Sequence, residues 1–540
     1  MTITCNLYIN GQWHDAEGRR TFTRRHPAHD EAASVAAAAS LADGKRCVEA
    51  AACAFPLWRD TAPAERRRLL LEAAEQMLLR EAKFIAAMAA ETGATAHWAG
   101  FNVHLAADIL REAAALTTQI EGQIIPSNVP GNLAMGVRQG AGVVLGMAPW
   151  NAPLILATRA LATPLACGNT VILKGAELSP ATQGLIIDAL DAAGFPPGVV
   201  NYLTCAPEDA PALVESLIAH PAVRRVNFTG STPVGRIIAR TCGQYLKPAV
   251  LELGGKAPLL VLDDADIEQA AAGAVFGAFA NAGQICMSTE RIIVDNAVAE
   301  AFIPLLARRA AALPAALTGP VVDMNTIARC NALIDDALAK GARLLTGGKA
   351  NDTHMSPTLL DGVTREMRLW REESFGPVKA IIRVHSEEEA LAVANDSEYG
   401  LSAAVYSRDS ARAWNVAQRL HTGICHINGP TVHDEAQMPF GGCKASGYGR
   451  FGGRAGIAEF TELRWITIQT QPASFPSEAQ RLLTMAGDKL RQPLRVFPRH
   501  RVSGMGHDAD RDPLCLNEVA IRIRERPLSD DQHFLAAQLA

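Results

Sequence analysis

The chain has no CxxC pair and no cluster of cysteine and histidine at metal-ligand spacing, although it carries eleven cysteines in 540 residues. An odd, scattered set of thiols excludes both a disulfide framework and a zinc site, and it points to a reducing compartment, the cytosol. Also missing is a basic start followed by an apolar run and a small-residue cleavage site, so no secretory leader is expected. The most apolar stretch, GVVLGMAPWNAPLILATRALATPLACGNTVILK, is broken by Pro149, Asn151, Pro153, Arg159 and Pro164, which excludes a membrane span. Charge of one sign is not in excess. A net charge of −5 leaves no basic footprint for nucleic acid and no polybasic anchor for a membrane, so small uncharged partners fit better. No internal repeat or low-complexity tract is present.

What remains is an ordinary globular composition, 49% hydrophobic and 20% charged, in a chain too long for one core, so two or more domains are expected. After a strand-like LYINGQW, residues 41–120 read as mainly helical, with breaks at Pro56, Thr61 and Gly93. Residues 123–137 hold Pro126, Asn128, Pro130 and Gly131 among β-prone residues and read as a protruding hairpin. Strands and helices then alternate from residue 142 to 255, as in a doubly wound parallel sheet that takes nucleotides at its strand ends. Within it, Ser179 reads as an N-cap with Pro180 at the first helical position. A second αβ region follows to about residue 442, then β-prone FTELRWITIQ. From about Pro472 the chain is Arg-rich, Pro-broken and poorly periodic, and is expected to be a weakly ordered extension.

Glu252 in LELGGK and Cys286 in NAGQICMSTE carry the most chemical information. A cysteine traps an aldehyde as a thiohemiacetal, and a carboxylate activates the water that later frees the thioester, so together they suggest oxidation of an aldehyde to an acid. Either also has a plain structural use, as a small buried hydrophobe or a capping carboxylate. Asn151, in PWNAP, can aim its amide at a developing oxyanion beside the Cys286 N–H, or serve only as a turn residue. The turn FTGSTPVG sets Gly230 and Gly235 between a strand and a helix, where pyrophosphate can approach, or where packing alone demands glycine. Lys174 and Glu177 follow the strand TVIL; a carboxylate there would accept ribose hydroxyls and repel a 2′-phosphate, favouring NAD over NADP, unless the two are a surface ion pair.

The succession PWN, LKxxE, FTGSTxxG, LELGGK, GQxC, ExFGPV and PFGGxKxSGxGR resembles the NAD(P)-dependent aldehyde dehydrogenase superfamily from about Cys5 to Gln469. The resemblance implies that Cys286 is the nucleophile, that Asn151 and the Cys286 N–H form the oxyanion hole, and that Glu252 is the general base. It further implies that Lys174 and Glu177 hold the adenosine ribose and Gly230, Ser231 and Gly235 the pyrophosphate. Glu373 would hold the nicotinamide ribose, with Phe375 against the nicotinamide. Two departures touch the adenine side: Gly175 and Ala176 stand where the family commonly has proline and serine, and TCAP where many members have TGxG.

The fold implied is α/β and aldehyde-dehydrogenase-like, with a cofactor-binding domain over residues 1–120 and 141–253 and a catalytic domain over 254–445. A β arm at 121–140 and 458–471 would join copies into a homodimer or homotetramer, and 472–540 forms the atypical extension. The segments HPAVRRVNFTGST, GQICMSTERI and INGPTVHDEAQMPFGG are most similar to the group oxidising salicylaldehyde, vanillin and related aromatic aldehydes. Trp98, Ile155, Ile285, Met287 and Phe440 can wall a slot for a benzene ring, or simply pack a core. Arg159 can attract a ring hydroxyl or phenolate, or sit in a structural ion pair. A coenzyme A-acylating dehydrogenase and a silent NAD-binding homologue are the alternatives; the first has no need of Glu252.

Overall fold

Short strands with an apolar centre such as Thr170–Lys174, buried at every residue, belong inside a sheet covered on both faces. The computed structural model, which describes residues 2–471, has that arrangement. An 8-stranded sheet runs Gly447–Tyr448, Ala249–Glu252, Val223–Thr229, Val143–Met147, Thr170–Lys174, Val200–Leu203, Leu7–Ile9, Gln12–His14. From Ala249–Glu252 to Val200–Leu203 the neighbours are parallel. The chain winds from Val143–Met147 first to one side and then to the other, which opens a crevice beside that strand at the carboxyl ends. Helix Pro153–Ala166, buried at every position, crosses beneath it.

A 7-stranded sheet follows in the order Arg343–Thr346, Thr358–Asp361, Val378–Val384, Thr289–Asp295, Ala257–Val261, Ala404–Tyr406, His426–Ile427. Its strands are parallel except at the Arg343–Thr346 edge. Gln123–Ile125, Asn132–Gly140 and Thr461–Gln469 form an antiparallel ribbon, paired from Thr461↔Gly140 to Gln469↔Asn132. The α/β class expected from the alternation of elements is the one observed. Among the described residues no helix is long and apolar enough to cross a membrane, and every cysteine is a free thiol.

Two local expectations differ from the structure. Pro56 does not break a helix but lies inside Leu41–Asp60 on its exposed side, where water can satisfy the carbonyl that a proline leaves unbonded. The helix continues because Trp58, 1% exposed, packs on Phe195 at 5.5 Å between ring centroids. Ser179 stands at the N-cap of Pro180–Ala192, yet its hydroxyl makes no capping bond. Buried Glu91 does that work from another helix, accepting from the N–H of Ala181 (3.0 Å) and Thr182 (2.8 Å) and from the hydroxyls of Thr182 (2.7 Å) and Ser34. The alanine-rich segment Ala32–Ala37 is a strand, paired with Ile3–Cys5 and Thr21–Arg25. The extension expected at 472–540 lies outside the described residues.

Because every partner of Glu91 donates, Glu91→Gln would turn an amide NH2 against a donor. We expect a loss of about 1–3 kcal/mol in stability, read as a lowered denaturant midpoint; an unchanged midpoint would show that the helix start does not depend on this carboxylate.

Candidate active site

The segments singled out in the sequence converge on the ends of strands. In the first sheet they follow carboxyl ends: Asn151 after Val143–Met147, Glu177 after Thr170–Lys174, Gly230 and Ser231 after Val223–Thr229, with Glu252 closing Ala249–Glu252. In the second sheet they precede amino ends: Cys286 before Thr289–Asp295, and Glu373 and Phe375 before Val378–Val384.

Asn151 joins the two sets. Its side-chain amide donates to the Gln284 carbonyl at 3.0 Å, and its own carbonyl accepts from Trp98 Nε1 at 3.0 Å and Asn281 Nδ2 at 3.2 Å. One N–H of the amide is thus committed to holding the Cys286 loop, and the second remains for another acceptor. The loop itself turns through Asn281 and Ala282 at φ 50° and 54°, then runs past Gly255, where a Cβ would collide with the Cys286 carbonyl oxygen. Glycine at 255 is what lets the LELGGK segment approach the nucleophile loop.

Cys286 is half-buried and faces a cavity of about 460 Å³. Asn151, Trp98, Ile155, Arg159, Ile285, Met287 and Phe440 all line it. Phe276 (51% exposed) and Leu317 (51%) also belong to the wall, so the cavity opens to solvent at that end. Burial, followed by the charge of Glu252, pushes the Cys286 thiol up to about 12. Glu252 does not line this cavity but lies within electrostatic reach of the thiol. It is 2% exposed, and neither of its oxygens closes a hydrogen bond among the described residues. Burial raises it well above the usual carboxylate range, against the pull of Arg159, Arg450 and the Gly442 N–H.

Arg159 is in the ion pair that was one of its two sequence readings, and it also faces the cavity. Its Nη2 donates to both oxygens of Asp434 at 2.8 Å, and its guanidinium lies 4.4 Å from the Phe440 ring centre, a cation–π distance. Its Nη1 is buried and makes no hydrogen bond among the described residues. Asp434 is the residue that sequence reasoning missed, since nothing in TVHDEAQM says which of its acids turns inward.

Lys174 and Glu177 pair with each other, leaving the Glu177 side chain 27% exposed. Gly175 has a steric cause that explains the departure in LKGAE: a Cβ there would collide with the Tyr202 hydroxyl, which donates to the Pro180 carbonyl at 2.7 Å. Packing also accounts for Gly230 and Gly235, whose Cβ atoms would strike the Phe228 ring and Leu253. Ser231 is the N-cap of Thr232–Gln244 and its hydroxyl makes no capping bond, while Val234 (43% exposed) and Ile237 (56%) present apolar side chains on that helix. An accepting carboxylate, the N–H donors of a helix start and exposed aliphatics form a surface that suits a dinucleotide. Glu373 accepts from the Gly255 N–H at 2.8 Å, and burial carries its carboxyl up to about 7. Phe375 stands edge-on to Trp150 with ring centres 5.9 Å apart.

Residues 13–466 match the aldehyde dehydrogenase family. A vanillin dehydrogenase of Pseudomonas fluorescens is 60% identical over 477 residues, 87% of this chain and 99% of the relative. The crystal structure of a salicylaldehyde dehydrogenase from Pseudomonas putida G7 complexed with salicylaldehyde is 48% identical with a TM-score of 0.86, over 88% of this chain and 100% of that one. A betaine aldehyde dehydrogenase from Staphylococcus aureus in complex with NAD+ is 29% identical with a TM-score of 0.83, over 87% and 96%. The chain belongs to the aldehyde dehydrogenase family, and it is an aldehyde-oxidising enzyme that works with NAD(P).

Proposed function

We propose that this enzyme oxidises hydroxylated or methoxylated benzaldehydes to the corresponding acids with NAD. The observation that carries this reading is the cavity onto which Cys286 opens, walled largely by apolar and aromatic side chains and carrying the Arg159–Asp434 ion pair in its lining. A flat ring suits the walls, and a ring hydroxyl suits the pair through charge-assisted hydrogen bonds. The relatives named for vanillin and salicylaldehyde support the same substrate class.

Cys286 Sγ gives up its proton to water through the open cavity and, as thiolate, bonds to the aldehyde carbon. The oxygen that gains charge accepts from the free Asn151 N–H and the Cys286 backbone N–H. NAD, when bound, supplies the hydride acceptor, and Lys174, Glu177, Gly230, Ser231, Gly235, Glu373 and Phe375 are the residues that would hold it. Glu252 then takes a proton from water as its oxygen attacks the thioester carbon; the C–S bond breaks, the acid leaves and the thiolate returns. A carboxylate whose pKa burial has raised is a stronger base for that step. Glu177 as a ribose acceptor disfavours a 2′-phosphate, hence NAD.

The cofactor domain takes residues 1–120 and 141–253, the catalytic domain 254–445, and the arm 121–140 with 458–471. The arm's open edges and its exposed Ile124 (77%) and Trp465 (80%) favour pairing with a second copy as a dimer or tetramer, in the cytosol.

Two measurements test this. Rapid mixing of Glu252→Gln with vanillin and NAD should give a burst near one NADH per site and then turnover slowed by about 10²–10⁴; full steady-state activity, or a burst relieved only by coenzyme A, would refute hydrolysis by Glu252. Arg159→Ala should cut kcat/KM for hydroxybenzaldehydes about tenfold more than for benzaldehyde, the worth of a charge-assisted hydrogen bond. Equal losses would refute the role assigned to Arg159.

A further inference from the structure

The strand that leaves Cys286, Thr289–Asp295, carries a buried carboxylate that the mechanism does not use. Glu290 is 2% exposed, and each of its oxygens accepts from two donors. Oε2 takes Lys256 Nζ at 2.6 Å and the Ser374 N–H at 3.0 Å; Oε1 takes Lys379 Nζ at 2.7 Å and the Ser374 hydroxyl at 2.6 Å. Burial works to raise its pKa, and the ammonium groups of Lys256 and Lys379 overcome that and hold it down to about 2. A fully paired carboxylate with two buried lysines is weak as a stabilising device, because an apolar cluster would hold the fold as well. Its distinctive effect is geometric: it ties the LELGGK segment, the strand after the nucleophile and the EESFGPV turn to one point.

The turn is clamped on both sides of Glu373. Lys256 Nζ donates to the Glu372 carbonyl at 2.6 Å, Glu290 holds the Ser374 N–H, and Arg329 Nε donates to the Ser374 carbonyl at 3.0 Å. The next residue, Phe375, sits at φ 44°, a left-handed conformation that a bulky side chain adopts only when its surroundings impose it. Glu373 and Phe375 therefore hold their directions through the neighbours that Glu290 anchors.

We propose that Glu290 is a positioning residue: through Ser374 and Lys256 it fixes the Glu373 carboxylate and the Phe375 ring in the geometry that receives the nicotinamide riboside. This rests on the reading that Glu373 and Phe375 contact the cofactor. A neutral amide at 290 leaves Lys256 and Lys379 without a counter-charge and turns an NH2 toward donors, so the turn loosens while the strand ladder around it persists.

The test uses the full-length enzyme in four forms: wild type, Glu290→Gln, Glu373→Gln and the double variant. NAD binding is measured by calorimetry without aldehyde, and KM values for NAD and aldehyde are measured separately. Glu290→Gln should raise the NAD Kd and KM on the order of tenfold while the aldehyde KM stays within about twofold, and the double variant should bind no worse than the weaker single one. A purely structural role would lower the melting temperature without splitting the two KM values. The proposal is overturned if Glu373→Gln weakens NAD binding while folded Glu290→Gln does not, or if the two losses add. If Glu373→Gln leaves the NAD Kd unchanged, the underlying cofactor reading falls, and the proposal with it. Should Glu290→Gln fail to fold, Ser374→Ala keeps every charge and removes one hydroxyl; it should weaken NAD about threefold, and an unchanged Kd would overturn the proposal.

Discussion

The hydrogen bond from the Asn151 amide to the Gln284 carbonyl, 3.0 Å long, is the constraint on which the site depends. It fastens the carboxyl end of one parallel sheet to the loop that enters the amino end of another, and Cys286 lies two residues beyond the acceptor. A sheet's carboxyl ends offer loops and helix starts suited to a dinucleotide, while the second sheet's amino ends bring the nucleophile and the EESFGPV turn. Chemistry between cofactor and substrate needs both sets within bonding distance of one carbon, and this bond closes the gap between them.

Burial then decides the electrostatics. Cys286 and Glu252 are both pushed toward their neutral forms by burial, and the charge of Glu252 adds to the effect on Cys286. A carboxylate with a raised pKa is a usable base, and a suppressed thiolate stays unreactive until something removes its proton or stabilises its charge. The Arg159–Asp434 pair adds a compact, nearly neutral ionic unit to a largely apolar cavity. Asp434 already balances the guanidinium charge, which favours neutral ring substituents over a second anion.

Much of this was legible in the sequence because the informative residues are local. Strands such as TVILK announce themselves by a short apolar β-branched core, glycine and proline punctuate the turns, and the catalytic candidates sit in short motifs whose order carries the family. What escaped the sequence depends on contacts between distant segments. Ser179 has the right chemistry for a cap, but Glu91, remote in sequence, supplies it. Pro56 is tolerated because its side of the helix faces water. Gly175 is required by Tyr202, and the partnership of Arg159 with Asp434 spans most of the chain. Glu290 gave no signal at all, since a glutamate between threonine and arginine looks like any polar residue until Lys256, Lys379 and Ser374 are seen around it.

The central claim is that one sulfur carries the substrate. Enzyme mixed with vanillin and NAD, quenched in acid and mapped by mass spectrometry, should carry the vanilloyl group on the peptide holding Cys286, with more of it in Glu252→Gln. Folded Cys286→Ser should show neither the adduct nor measurable turnover. Acylation at another residue, or Cys286→Ser oxidising aldehyde at the wild-type rate, would contradict the account.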